Sequence, residues 1–214
     1  MAMIKKKLQA FLSFLLNDVS DKFDAIALKS IVDKLFIITE KIIIHFPKFL
    51  PFYINYYQDI IDQEIKLANI TSKSLILHVG CGSIPASSML LAQKTNASVV
   101  GIDRDAHAIK KAKMCIKTLH LSDKITVKKK DATKINLSSF DVILISQGIM
   151  PKQLFLQQLS KKISNNQLVI LRSFSQHQSL DDHDNFLKDY YFIKDIFCHT
   201  THGSTTSVIL QKKK

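Results

Sequence analysis

Two closely spaced glycines, Gly80 and Gly82, stand between an apolar run, Leu75 to Val79, and a stretch with helical spacing at Met89, Leu90 and Ala92. Glycine is needed where a backbone must turn tightly and let a ligand approach with no Cβ in the way. The helix that follows offers free N–H groups. Pro85 suits the first turn of that helix, because its missing N–H would have had no helical partner. It also occupies the third glycine position of a G-x-G-x-x-G fingerprint, so the glycines alone are a weak signal. Asp103 strengthens them. It ends a second apolar run, Ala97 to Ile102, about twenty positions downstream, where folds of this kind hydrogen-bond a ribose hydroxyl. Strand, glycine turn, helix, strand and acid together predict a site for a small polar cofactor. The competing reading makes Gly80 and Gly82 an ordinary tight turn and Asp103 a cap for the helix that starts near Asp105.

A second group of residues invites acid–base chemistry. Projected at about 100° per residue, Tyr53, Tyr57, Ile60, Leu67 and Ala68 form one helix face with Glu64 in its middle. A glutamate is almost never buried without a partner, so either a basic group meets it or it lines a cavity. Asp59, Asp62 and Lys66 occupy the other side as solvated surface. Arg172 falls at the carboxyl end of a predicted central strand, where ligands bind in open α/β sheets, and its guanidinium suits a substrate carboxylate. A salt bridge at the sheet rim, with Glu64 as one candidate partner, is the alternative. Tyr56 and Tyr57 either pack in the core or donate hydroxyls to a ligand. His177, His183, His199 and His202, with Asp181, Asp182 and Asp184, match no strong metal motif, and no metal is expected. His199 and His202 are read as loop residues.

These residues need a scaffold. Residues 4 to about 70 contain no glycine and read as helices: Ile4 to Leu16, Lys22 to Phe46, and Pro51 to Ala68 opened by Pro51. From Lys73 apolar strands alternate with helices: Leu75–Val79, Ala86–Lys94, Val99–Ile102, Ala106–Leu119, Ile125–Val127, Phe140–Ile145, Lys152–Ile163 and Gln167–Leu171. That alternation specifies a doubly wound, Rossmann-like α/β sheet. Tyr191–Phe197 and Thr205–Leu210 then read as consecutive strands, predicting an antiparallel pair at the sheet edge. Residues 1–72 are accordingly expected to form an N-terminal helical lid over a cofactor-binding domain of residues 73–214.

The chain of 214 residues can bury one substantial core. Its formal charge of +12 would suit nucleic acid or a membrane surface if the lysines clustered, but Lys5–Lys7, Lys110–Lys113, Lys128–Lys130 and Lys212–Lys214 lie in different elements. Nucleic acid is therefore allowed as a partner and not favoured. Three cysteines without C-x-x-C spacing imply neither a disulfide framework nor a zinc knuckle. No run reaches the roughly 18 apolar residues of a membrane span, and the helical N-terminal run lacks a cleavage site. A cytoplasmic protein that does not contact membranes, with a homodimer open to it, is the expectation.

Val79-Gly-Cys-Gly with Asp103 on the second strand resembles the class I S-adenosylmethionine-dependent methyltransferases, over about residues 73 to 211. The antiparallel ending is the one that separates this version of the fold from the dehydrogenase version. The resemblance implies that the glycine loop holds the methionine moiety and the acid the ribose. It assigns Gly80, Cys81, Gly82, Asp103, Arg104, Asp131, Ala132 and Ser146 to S-adenosylmethionine, with Asp131 in Lys130-Asp131-Ala132 flanking the adenine. An ordinary helix cap is the other reading of Asp131.

A narrower likeness adds chemistry. Gly80-Cys-Gly-Ser-Ile-Pro-Ala-Ser-Ser-Met-Leu-Leu-Ala resembles the glycine loop of nicotianamine synthase and its bacterial opine-metallophore relatives. Leu168-Val-Ile-Leu-Arg-Ser173 and Ser204-Thr-Thr-Ser-Val-Ile209 resemble their later strands. Those enzymes transfer the aminocarboxypropyl arm of S-adenosylmethionine to an amine and release methylthioadenosine. The likeness implies a small-molecule amine or amino acid as acceptor, Glu64 as catalytic base with Tyr57 beside it, and Tyr56 and Arg172 as substrate contacts. An ordinary methyltransferase of a small molecule or RNA is the runner-up. Ser146-Gln-Gly-Ile-Met-Pro151 lacks the Asn/Asp-Pro-Pro-aromatic loop that grips a flipped base. A non-catalytic RNA-binding protein on the same fold is the third reading.

Overall fold

The computed structural model describes Ile38, Ile43 and residues 47–149, 151–174, 186–199 and 205–213. The helices expected over Ile4–Leu16 and most of Lys22–Phe46 lie outside these residues, as do His177, His183, His202, Asp181, Asp182 and Asp184.

A 3₁₀ turn at Pro47–Phe49 leads into α1 (Leu50–Tyr56) and α2 (Gln58–Leu67). The single helix expected from Pro51 to Ala68 is thus two. At Tyr57 (φ −87°, ψ 3°) the backbone N–H turns to Ile54 O at 3.0 Å, tightening the last turn of α1 before α2 begins. The predicted buried face survives the break: Tyr53, Ile60, Glu64 and Ala68 are buried. Asp59, Asp62 and Lys66 are exposed, and Asp62 pairs with Lys94 at 2.7 Å. Asn69 closes α2 in the left-handed region (φ 51°), letting Ile70 N–H reach back to Ile65 O.

The alternating part follows as β1 (Leu75–Val79), α3 (Ala86–Thr95), β2 (Ser98–Asp103), α4 (Ala106–Thr118), β3 (Ile125–Lys129), β4 (Val142–Ile145), α5 (Lys152–Ser160), β5 (Leu168–Phe174), β6 (Tyr191–His199) and β7 (Thr205–Lys212). The seven strands lie in the order β3-β2-β1-β4-β5-β7-β6. The first five are parallel, and β7 slots antiparallel between β5 and β6, as the consecutive terminal strands predict. His199 is the last residue of β6, paired with Thr205 and buried, which corrects its reading as a loop residue. An alternation too short to see beyond Phe197 hid those last two strand positions.

Strand pleating sends neighbouring residues to opposite cores. Ile76, Leu144, Ile170 and Ile209 face one core, shared with Tyr53, Ile61, Met89 and Ile109 of the helices. Leu77, Ile143, Val169 and Leu210 face the other, with Phe155, Leu156 and Tyr191. The described helices α1 and α2 therefore share a core with the sheet.

Candidate active site

Crossovers to opposite sides meet between β1 and β4, and open α/β sheets bind ligands at the carboxyl ends of strands at such a switch point. A cavity of about 340 Å³ lies there, bounded by Val79, Gly80, Ile102, Asp103, Ser146 and Ile149 among others. Lys130, Ala132, Gly148 and Phe155 complete its wall with Arg104.

The glycine turn is built as the sequence demands. Gly80 and Gly82 adopt φ of 75° and 68°, a region that side chains disfavour. A Cβ on Gly80 would stand 2.7 Å from the Ile149 side chain. Asp103 pins the turn: its Oδ2 accepts from Gly82 N–H at 3.0 Å and its Oδ1 from Asp105 N–H at 2.9 Å. Asp105, not Asp103, caps α4, accepting from His107 N–H at 2.8 Å.

Five of the residues predicted to hold the cofactor line the cavity: Gly80, Asp103, Arg104, Ala132 and Ser146. Cys81 is buried beneath the turn, its Sγ 3.2 Å from where a Gly101 Cβ would sit. Gly82 serves the turn through Asp103. Asp131 caps the 3₁₀ turn Ala132–Lys134. Its Oδ1 accepts from the Thr133 N–H at 3.0 Å and hydroxyl at 2.8 Å, and from Arg104 at 3.1 Å. These donors, led by the Thr133 N–H, hold its carboxyl down at about 2.

Glu64 and Arg172 meet each other and do not line the cavity. Arg172 Nε donates to Glu64 Oε1 at 2.7 Å and Nη2 to Oε2 at 2.6 Å, while Nη1 donates to Ser87 Oγ at 2.8 Å. Ser207 Oγ adds a third bond to Glu64 Oε1 at 2.7 Å and in turn contacts His199 Nε2 at 2.9 Å. Glu64 is fully buried and Arg172 nearly so. Burial opposes the Arg172 charge, and the Glu64 carboxylate outweighs it and raises its pKa. Tyr57 is half-buried with its hydroxyl 3.3 Å from that of Tyr53, and the Tyr56 ring packs edge-on against Tyr57. Burial, then Tyr57, pushes the Tyr56 phenol upward, so it stays protonated.

Sequence reasoning missed His78. Its Nδ1 contacts Ser88 Oγ and its Nε2 contacts Ser146 Oγ, both at 2.8 Å. Burial, aided by the Arg172 charge, drives its pKa down to about 3, so the ring is neutral. The signal was present: one polar residue inside the apolar run Leu75–Val79, followed by the Ser87-Ser88 pair in an apolar helix. Among the described residues no group of three or more His, Cys, Asp or Glu converges as a metal site, and no helix is long and apolar enough to cross a membrane.

The model of the methyltransferase domain matches residues 70–214. The chain belongs to that family. Among relatives, the methyltransferase-domain chain is 25% identical over 120 residues to the L-histidine 2-aminobutanoyltransferase of Yersinia pestis, covering 56% of this chain and 45% of that protein. It thus spans less than half of that relative. A Glu-to-Gln mutant of the nicotianamine synthase MtNAS, solved in complex with S-adenosylmethionine, superposes with a TM-score of 0.75 at 18% identity, over 89% of this chain and 78% of that one. An RNA methyltransferase from Salinibacter ruber in complex with S-adenosyl-L-homocysteine gives 0.58 at 16% identity, over 73% and 93%. These likenesses establish the class I methyltransferase fold.

Proposed function

We propose that this protein binds S-adenosylmethionine in the cavity at the ends of β1, β2 and β4 and transfers its 3-amino-3-carboxypropyl group to a small amine or amino acid. The cavity suits the donor: a glycine turn at one wall, a carboxylate, Asp103, in the lining that could meet a ribose hydroxyl, and a volume within the range of small-ligand sites. Gly80, Asp103, Ala132 and Ser146 would hold it, and the donor would supply an activated carbon at its sulfonium.

The observation that carries the choice of reaction is the Glu64–Arg172 pair, which the helical layer presents to the sheet. An α-amino acid brings one ammonium and one carboxylate, and Glu64 and Arg172 are their charge complements. In this reading the substrate carboxylate takes the guanidinium and Glu64, so released, accepts the ammonium proton; an amine must lose that proton before its lone pair can attack carbon. Tyr57, at the start of α2 about two turns before Glu64, would orient the acceptor. The relatives support the reading: both the Yersinia pestis transferase and MtNAS resemble this chain, and MtNAS covers 89% of this chain where the Salinibacter ruber enzyme covers 73%.

Methyl transfer is the second reading, favoured by the family to which the chain belongs. Incubation with S-adenosylmethionine and a mixture of amines and amino acids that includes histidine separates the two. Methylthioadenosine as the nucleoside product is expected; S-adenosylhomocysteine overturns aminocarboxypropyl transfer.

A further inference from the structure

His78 lies between a buried serine and a serine of the cavity wall, and which way its protons run decides what the wall offers a ligand. Ser88 is fully buried, and among the described residues the His78 ring is its side chain's hydrogen-bond partner. A buried hydroxyl that accepts without donating strands its proton, whereas one that donates leaves only lone pairs unmatched. Ser88 must therefore donate to Nδ1. The single proton of the neutral ring then sits on Nε2 and is donated to Ser146 Oγ at 2.8 Å. With Oγ accepting from His78, the Ser146 proton has no acceptor in the described protein and is left for the cavity that Ser146 lines. The opposite tautomer would consume the Ser146 proton and present only lone pairs.

We propose that His78 is a positioning residue: by donating Nε2–H to Ser146 it makes that hydroxyl a hydrogen-bond donor for the carboxylate of the bound ligand's amino-acid end. The inference rests on the S-adenosylmethionine reading above. Asp103, at the end of β2, is the partner for the ribose, and Ser146, beyond β4 on the far side of β1, is left for the amino-acid end. That end carries one acceptor group and one donor group. A donating Ser146 selects the carboxylate; an accepting one would select the ammonium.

The test uses the full chain labelled with ¹⁵N-histidine. Long-range ¹H–¹⁵N spectra at neutral pH, with His78 assigned from the His78→Gln variant, should give the Nε2–H tautomer; an Nδ1–H tautomer overturns the proposal. Calorimetric binding of S-adenosylmethionine and of its decarboxylated analogue supplies the second arm. Ser146→Ala should weaken the first by roughly tenfold or more and shift the second by less than about twofold. His78→Phe should follow Ser146→Ala. His78→Gln, whose amide nitrogen reaches the Nε2 position, should restore most of the affinity. Equal losses for both compounds, or wild-type affinity in His78→Phe, would overturn the role of His78 while leaving the donor reading intact. A folded wild-type chain that binds neither compound removes that reading and the ligand assigned to Ser146 with it.

Discussion

Arg172 at the end of the parallel run grips Glu64 of α2 with two hydrogen bonds, of 2.7 and 2.6 Å, across 108 positions of sequence. Both residues are shut away from water, so neither charge has another home in this state. One contact therefore joins the helical layer to the sheet, and in the proposed reaction its two charges are those that an amino-acid substrate would exchange for its own.

Removing one member of such a pair strands the other. Glu64→Ala should lose about 3–5 kcal/mol of stability by denaturant titration, because a buried guanidinium is left without its carboxylate. The double variant Glu64→Leu/Arg172→Met should recover most of that loss. Glu64→Gln is expected to stop transfer while retaining affinity for S-adenosylmethionine; full turnover in that variant would remove Glu64 from the chemistry.

Gly80→Ala should fail in two ways. Its φ of 75° is unfavourable for alanine, and the new methyl would stand 2.7 Å from Ile149 at the cavity wall. A loss of about 1–2 kcal/mol in stability is expected, together with weaker S-adenosylmethionine binding by calorimetry.

Asp103→Ala removes the acceptors of the Gly82 and Asp105 N–H groups as well as the carboxylate proposed to meet a ribose. Affinity for S-adenosylmethionine should fall by about tenfold to a hundredfold. Asp103→Asn, which keeps one oxygen acceptor, should fall between the two.

Acid should destabilise the fold in two windows. Between pH 6.5 and about 3 the unfolded chain binds a proton at His78 that the folded chain refuses. The His78 contribution is therefore intact above pH 6.5 and declines below it, by at most about 1.4 kcal/mol per pH unit. His78→Gln should flatten that part of the profile. Asp131 acts lower, because its carboxyl is held down mainly by the Thr133 N–H: its contribution is present above pH 3.8 and is lost as the pH falls through about 2. Thermal melts from pH 8 to pH 3 of the wild type and His78→Gln check the first window.

Local patterning made much of the scaffold legible. The run Leu75–Val79 is β1 to the residue, and the starts predicted for α3, α4, α5, β3, β6 and β7 are those observed. Hydrophobic period and turn chemistry act over a few residues, so they are written in a few residues. The glycine turn and Asp103 were legible for the same reason: a positive φ and an acid after a strand are local demands. The buried face carrying Glu64 was legible too, since helical periodicity reports burial.

Periodicity does not report partners. Arg172 stood among the partners that the sequence offered Glu64, but Ser207 completing the carboxylate depended on β7 entering between β5 and β6, and Ser87 meeting Arg172 on the packing of α3, arrangements of segments far apart in sequence. His78 gave the same lesson. Its place in a strand was plain, but its two serines come from α3 and from the turn after β4, and only the parallel pairing of β1 with β4 brings the second within reach. The burial of His199 belongs here as well, because its pairing with Thr205 of β7 decided how far the strand ran. Sequence alone determined which apolar faces leave water; the tertiary structure decided which polar groups follow them and what each finds there, because in a low-dielectric interior the partner, and not the residue type, sets its chemistry.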